Sequence, residues 1–567
     1  MSLQTSIEPL RISKFRALWA ASMVSNVGSF IQAVAGSWLM FELTSSPLWV
    51  GMMAASSTLP LLALALPAGA IADLFERRRV LIVAQSIMGG AAVAMAITSY
   101  LDALTPGVLL GLGLLLGVGL SINMPSWQAL VPDLVPRGMI ASAVALNSAS
   151  FNVARAIGPA LGGAIVAAAG AGIAFAFNAA TYLGVIVVLA RFGSQRFVRQ
   201  DAEPIGSAMA TGLRFARFTP AFRRLLAVAG AFAITSAVVQ SMLPNVSGSA
   251  LGGSALLYGL LLGAMGIGAL VGAFSRVWAQ SMLGSRMVPV SIALFGTSGF
   301  IVGMSRTPVL TGAAMAAAGL CWVWSLATLG ATVQLLVPAW VRGRAMSLYT
   351  LSFSGLLPIG SIAAGVLGSM IGPAEAVAVL SLATVIVGLV SLWFGVPRLG
   401  EYVSTEPLDD WDPEPHDIQH DGGPVLIATT WTIDPEDLPD FIDAMNDLRL
   451  VRLTTGAYRW RLYRDASDVL TMTEVMVLSS WDNHLRQHRR IDQHAAVVIR
   501  RAASFDRTGG PRTRHMIAVD VRGTADHSEW DILVDEHTDL HRTDGSISLD
   551  PEDLTLRTEA APSSPPA

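Results

Sequence analysis

The chemistry-bearing residues of this chain are few and stand out against an apolar background. The densest group is "GAIADLFERRR", residues 69–79, where Asp73 precedes Arg77 and Arg78. A carboxylate at the mouth of a helix accepts N–H groups from a neighbouring helix N-terminus. Guanidinium groups reach carboxylates or the last carbonyls of adjacent helices. Such contacts hold an entrance shut and must break for it to open, so Gly69, Asp73, Arg77 and Arg78 read as a gate. The same arginines also serve as a plain topology signal.

A second group sits inside "SFNVARAIGPALGG". Arg155 lies well within a long apolar run, where a charge is expensive unless it faces a cavity or a partner. It has three roles open to it: binding an anionic substrate, pairing with an acid, or capping backbone carbonyls. Gly158, Pro159, Gly162 and Gly163 follow it. Glycines let helices approach closely, and proline frees a carbonyl and allows bending. The amides Asn26, Gln32, Asn123, Asn147, Asn152 and Gln240, with Gln128 and Gln334, are scattered through similar runs beside Trp38, Trp127, Trp322 and Trp324. As a group, amides and indoles suit a bulky, partly aromatic ligand. Singly, each also serves as an ordinary helix–helix hydrogen bond or interface anchor. No acid stands at the centre of an apolar run, so Asp73, Asp133 and Glu42 are the candidates for carrying protons.

These residues need membrane helices to position them. The chain has 567 residues, 53% of them hydrophobic, 14% charged, with a mean hydropathy of +0.55. Soluble proteins carry about 25% charged residues. An ordinary cytosolic enzyme, a disordered chain and a nucleic-acid binder are therefore excluded. With 37 basic and 41 acidic residues there is no polybasic field for a phosphate backbone. A single cysteine, Cys321, excludes a disulfide scaffold and a cysteine-cluster metal site.

A spanning helix needs about 20 mostly apolar residues. Twelve stretches qualify: 17–42, 48–72, 79–101, 106–130, 140–169, 171–192, 225–247, 253–279, 287–305, 308–336, 344–371 and 373–396. The lead-in "MSLQTSIEPLRISKFR" is polar and carries no cleavage signal. Nearly all Arg and Lys between the spans fall in one set of alternate loops, and the opposite set holds only Arg306. Positive loops stay inside, which places both termini in the cytoplasm. The chain also repeats itself. "QALVP" at 128–132 returns as "QLLVP" at 334–338, offset by 206, and "GAIAD" at 69–73 has an echo in "GAFSR" at 272–276, offset by 203. Six spans followed by six in parallel orientation is the arrangement that permits rocking alternating access.

"GAIADLFERRR" resembles the GxLaDrxGrr loop between the second and third spans of the major facilitator superfamily, matching at Gly69, Asp73, Arg77 and Arg78 and departing at Leu74 and Glu76. "FRALWAASMVSNVGSFIQAVAGSWLM", "NMPSWQALVPDLVPR" and "SFNVARAIGPALGG" are similar to the branch of enterobactin exporters and macrolide-efflux relatives, the transmembrane secretion effector family. The resemblance spans about the first 400 residues. It implies an all-α membrane protein of the major facilitator fold. Such a protein exports a small molecule (siderophore, drug or secondary metabolite) across a bacterial inner membrane, is usually proton-driven, and is a transporter and not an enzyme.

The expected organisation is a six-helix bundle over 1–192, a central loop over 193–224, a second bundle over 225–397 and a linker over 398–422. A small domain over 423–520 and a disordered acidic tail over 521–567 follow. The central "GLRFARFTPAFRRLL" interleaves Arg with Phe215, Phe218 and Phe222, and reads as amphipathic on the inner leaflet. In the small domain, "PVLIATTWT" reads as a strand, "DPEDLPDFIDAMNDLRLVRL" as a helix, "AYRWRLYRD" and "VLTMTEVMVLSS" as paired strands, and "WDNHLRQHRRIDQHAAVVIRRAA" as a helix. This order resembles the ferredoxin-like fold of the antibiotic-biosynthesis-monooxygenase-like domain, which usually dimerises, so a homodimer through this domain is implied. His484 and His488 lie one turn apart, with His494 nearby and Glu474 on the preceding strand. That spacing can hold a metal. No third ligand of fixed geometry is evident, so the expectation is no metal, no cofactor and a polar, partner-facing helix surface. The alternative function is a membrane-anchored oxygenase or regulator acting through this domain.

Overall fold

The computed structural model describes residues 7–191, 205–338, 340–394 and 424–518. The linker 398–422, the tail 521–567 and residues 193–204 of the central loop lie outside the described residues. The first half comprises α1 (Ser13–Thr44), α2 (Pro47–Ser56), α3 (Leu59–Leu74), α4 (Arg77–Tyr100), α5 (Pro106–Asp133), α6 (Ile140–Ala169) and α7 (Ala171–Arg191). A connecting helix α8 (Ile205–Phe218) follows. The second half comprises α9 (Pro220–Ser241), α10 (Ala255–Leu283), α11 (Met287–Met304), α12 (Pro308–Leu336), α13 (Arg342–Ser354), α14 (Leu357–Ile371) and α15 (Pro373–Phe394).

Local sequence sets where these helices start and stop. Pro47, Pro106, Pro220, Pro308 and Pro373 each stand at the first helical position, where a missing N–H loses nothing. Ser45, Gly170 and Gly372 end their helices in a positive-φ conformation (50°, 82° and 100°) that lets the chain reverse. Eleven stretches among the described residues are long and apolar enough to cross a membrane. The longest, Ala255–Met304, is two helices, α10 and α11, which break at Gly284 with φ of 52°.

The same packing scheme occurs twice. In the first half α1 packs on α6 and α7, α4 on α5 and α7, and α3 on α5. In the second half α9 packs on α14 and α15, α11 on α12 and α15, and α10 on α12. The halves meet along two seams related in the same way, α2 against α14 and α6 against α10. The core is continuous across them. Trp38 of α1 stacks on Tyr258 of α10 with ring centroids 6.0 Å apart.

The C-terminal unit carries β1 (Val425–Thr432), α16 (Leu438–Thr455), β2 (Arg459–Arg464), β3 (Thr471–Leu478), α17 (Trp481–His488), α18 (Gln493–Ala503) and β4 (Arg512–Ile517). Its four strands are ordered β2-β3-β1-β4, and every pairing is antiparallel. Alternate residues of β1, Val425, Ile427, Thr429 and Trp431, are buried, as one covered sheet face requires. Trp431 packs with Phe441, Met445 and Leu448 of α16. Two sequence expectations need correcting. The single helix expected over 481–503 is two, because Asp492 caps a fresh start by accepting from the Ala495 N–H at 2.8 Å. Two of the three phenylalanines of the central segment do not face lipid. Phe215 and Phe222 are buried in protein, 5.6 Å apart, because α8 lies against the second half.

Candidate functional site

The backbone of Gly69 and Asp73 forms the last turns of α3, and the Asp73 side chain lies outside the described groups. Arg77 opens α4 and donates to the carboxylate of Asp133 at the end of α5. Both side chains are about a third exposed, 33% and 38%, so water screens the pair to less than about 1 kcal/mol. It sets geometry more than stability. Arg78 donates from Nε to the Leu189 carbonyl (2.7 Å) and from an Nη to that of Ala190 (2.9 Å). These carbonyls belong to the last turn of α7, which has no N–H of its own to offer them and carries the negative end of the helix dipole. Arg77 and Arg78 thus tie the α3–α4 turn to two other helices of the same half.

The "GPALGG" segment of α6 has two working faces. A Cβ at Gly158 would sit 2.6 Å from that of Phe30, and one at Gly162 would sit 2.9 Å from the Ile31 Cα, so both glycines face α1. Gly163 faces the other half, where a Cβ would meet the Ala255 carbonyl and lie 2.9 Å from the Gly259 Cα. A Cβ at Gly259 would in turn lie 2.5 Å from the Pro159 carbonyl. The α6–α10 seam is therefore a contact of backbone on backbone, which only glycine permits.

Two turns before Gly162, Arg155 projects across this seam. Its guanidinium lies 5.7 Å from the ring centroid of Trp322 on α12. It is enclosed by helices yet keeps part of its surface open, and among the described residues it has no ion pair. Of the three roles open to Arg155, pairing with an acid is thus not seen. Trp322 is the hub of an aromatic cluster, with Phe232, Phe295 and Phe353 at 5.6, 5.6 and 5.5 Å. Its indole N–H is buried and makes no hydrogen bond among the described residues. The seam thus holds a guanidinium and a buried indole N–H, two donors whose chemistry matches an acceptor-rich ligand.

The amides divide. Gln32 is buried in a network of the first half, accepting from Asn178 and donating to the Met95 sulfur at 3.4 Å, and so serves packing there. Asn123 accepts from Gln85 at 3.0 Å, and Asn147 from the indole of Trp127 at 3.4 Å. Asn152 is exposed and bonds its own helix at Ser148, 2.9 Å. Asn26 and Gln240 are half-buried, with no hydrogen bond among the described residues. Asn178 and Thr181, bonded to each other at 2.8 Å, belong to the first-half network and were legible as polar interruptions of an apolar span.

In the C-terminal unit the histidines are not a partner-facing surface. His484 is 1% exposed, its ring against His488, His515 and Trp481 with centroids 4.8, 4.5 and 5.1 Å away for His515, His488 and Trp481 respectively. The cause is that α17 packs this face on β3. His494 lies outside the described side chains. Glu474 is fully buried and holds the indole of Trp460 (2.7 Å) and Nε of Arg452 (3.2 Å). Among the described residues no group of three or more His, Cys, Asp or Glu is set to hold a metal.

Burial, with help from His488, His515 and Arg452, pushes His484 down from 6.5 to about 3. The unfolded state therefore binds a proton that the folded state refuses. The stability of this unit is full above about pH 6.5 and falls as pH drops toward 3. Denaturant melts of the full chain, read by hydrogen exchange in β1 and β3, are expected to shift to lower denaturant between pH 7.5 and 5. A His484→Gln variant is expected to flatten that dependence.

A family model described as "Transmembrane secretion effector" matches residues 4–523. The chain is 22% identical to a staphyloferrin A transporter of Staphylococcus aureus over 66% of its own length and 94% of that protein's. It is 25% identical to an enterobactin exporter of Salmonella choleraesuis (70% and 95%) and to the multidrug efflux pump Tap of Mycolicibacterium fortuitum (67% and 95%). Among solved structures, the nucleoside transporter NupG matches with a TM-score of 0.57 at 14% identity, covering 67% of this chain and 99% of that one. The xylose transporter XylE of E. coli, in its inward open conformation, matches at 0.54 and 11%, covering 68% and 97%. These likenesses give the fold.

Proposed function

The chain belongs to the transmembrane secretion effector family, and from that membership we propose a secondary exporter that moves a small anionic molecule out of a bacterial cell by alternating access. The siderophore and drug exporters among its relatives support the direction and the substrate size. The break between α10 and α11 supports twelve crossings, and the doubled packing scheme supports two parallel repeats of six. The Arg-bearing loops and both termini are cytoplasmic on this reading. The order of the C-terminal strands supports a ferredoxin-like unit, which serves the transporter and pairs two copies of it. The observation that carries the proposal is Arg155, a charge with no acid partner among the described residues, on the seam between the halves and over an indole whose buried N–H has no hydrogen bond among them.

Substrate enters from the end that bears Asp73, Arg77 and Arg78 and leaves when the halves rock. Protons return through carboxylates near the ends of the spans, with Asp73, Asp133 and Glu42 as carriers. Uptake into inverted membrane vesicles, with metabolite profiling of a deletion strain to supply the substrate, tests the reading. ATP-independent uptake that collapses with the proton gradient is expected. Substrate flux in the opposite direction would make the protein an importer and end the proposal. Asp73→Asn keeps the shape and removes the charge. It is expected to lower efflux more than tenfold with unchanged membrane abundance, measured in the same vesicles, and an unchanged rate would remove Asp73 from the gate.

A further inference from the structure

The two halves hold their equivalent loops differently. In the first half, "QALVP" is followed by Asp133, the last residue of α5, which Arg77 holds from the start of α4. In the second half, the position offset by 206 is Ala339, so the acid is missing. Arg286, which immediately precedes α11 as Arg77 opens α4, is exposed and has no partner among the described residues. The second-half loop is held by something else. Trp340 stands edge-on to Phe215 of α8 at 6.3 Å, and the guanidinium of Arg490, from the turn after α17, lies 4.6 Å from its ring centroid. Arg490 also donates to the Thr455 carbonyl at 2.7 Å, and Arg214 of α8 donates to the Gly456 carbonyl at 2.8 Å. Two guanidiniums thus serve the carbonyl end of α16, one from its own unit and one from the helix joining the halves. On its other side α8 lies against α13, where a Cβ at Gly212 would come 3.1 Å from that of Arg344.

We propose that the C-terminal unit is the latch of the second half: its Arg490 surface fits the Trp340 loop and α8, and replaces the ion pair that the repeat has lost. The partner of this surface is the chain's own transport unit. These three relatives, the staphyloferrin A transporter, the enterobactin exporter and Tap, match over 94–95% of their length and take in 66–70% of this chain, whereas the family model runs on to residue 523 and includes the C-terminal unit. The inference rests on the repeat reading above, but its test needs no transport.

Hydrogen exchange is followed by mass spectrometry on the full chain in lipid nanodiscs, without substrate. Arg490→Ala is expected to speed exchange about tenfold in residues 340–346 and in α8, and to leave residues 134–140 of the first half unchanged. Arg490→Lys, which keeps the charge but not the planar fork, is expected to fall between. Unchanged exchange around Trp340 in Arg490→Ala, or equal loosening of both halves, would each overturn the latch. Loss of export in any of these proteins bears on the transport reading and not on this one.

Discussion

Gly163→Val is expected to lower efflux by roughly 5- to 150-fold while leaving the protein in the membrane at normal abundance. The new side chain would start 2.9 Å from the Gly259 Cα and against the Ala255 carbonyl, in a place where backbone meets backbone. Overpacking of this kind costs about 1–3 kcal/mol. The cost falls only on the state in which α6 and α10 touch. An alternating-access cycle separates the halves at this seam in its other state, so the population shifts by the factor that 1–3 kcal/mol gives. Two comparisons fix the interpretation. Gly184→Val places the same side chain on α7, where nothing lies within 4 Å of its Cβ, and should leave efflux unchanged. Gly158→Val strains the α1–α6 contact inside one half, which both states keep, and should lower abundance instead. A Gly163→Val protein that exports at the normal rate would mean that this seam does not open during transport.

Much of the frame was legible because membrane helices are written in long apolar runs with proline and glycine at their ends. The expected span over 106–130 is Pro106–Asp133, and that over 171–192 is Ala171–Arg191. What periodicity does not reveal is a break within an apolar run. The helices over 47–74 and 342–371 are each interrupted once, next to Pro60 and Pro358, and hydropathy passes over both places. Phe215 and Phe222 were misread for a related reason. An aromatic–basic pattern looks the same whether its apolar face meets lipid or protein, and only the fold decides. His484 and His488 share a face whose polarity argued for exposure, yet α17 turns it onto the sheet because Trp481 on the same side is the larger apolar group. The glycines of "GPALGG" were legible as packing residues, but not that Gly163 alone of them points at the second half. That depends on the 100° step between neighbours on a helix meeting a particular neighbour in space.

The role of Arg155 yields the sharper test, because structure and function pull in opposite directions at that position. Removing a charge from the middle of a membrane helix eases insertion by about 2.5–3.5 kcal/mol, so Arg155→Gln should reach the membrane at least as well as the natural protein. Any loss is then a loss of transport. A hydrogen bond from a charged donor contributes about 1.5–3 kcal/mol, so export of an anionic substrate should fall roughly 10- to 150-fold in vesicle assays. Arg155→Lys keeps the charge. It gives up the flat fork and the face that lies over Trp322, 5.7 Å away, and is expected to export at an intermediate rate. Trp322→Phe preserves the aromatic packing with Phe232, Phe295 and Phe353 and removes the N–H that has no partner among the described residues. Its expected effect is a higher KM at a nearly constant maximal rate, since a contact made equally throughout the cycle changes binding alone. The discriminating measurement is a pair of substrates that differ in one negative charge. If Arg155 holds the substrate, Arg155→Gln narrows the difference between their export rates toward one. If Arg155 only braces the helices, both rates fall together and their ratio stays where it was.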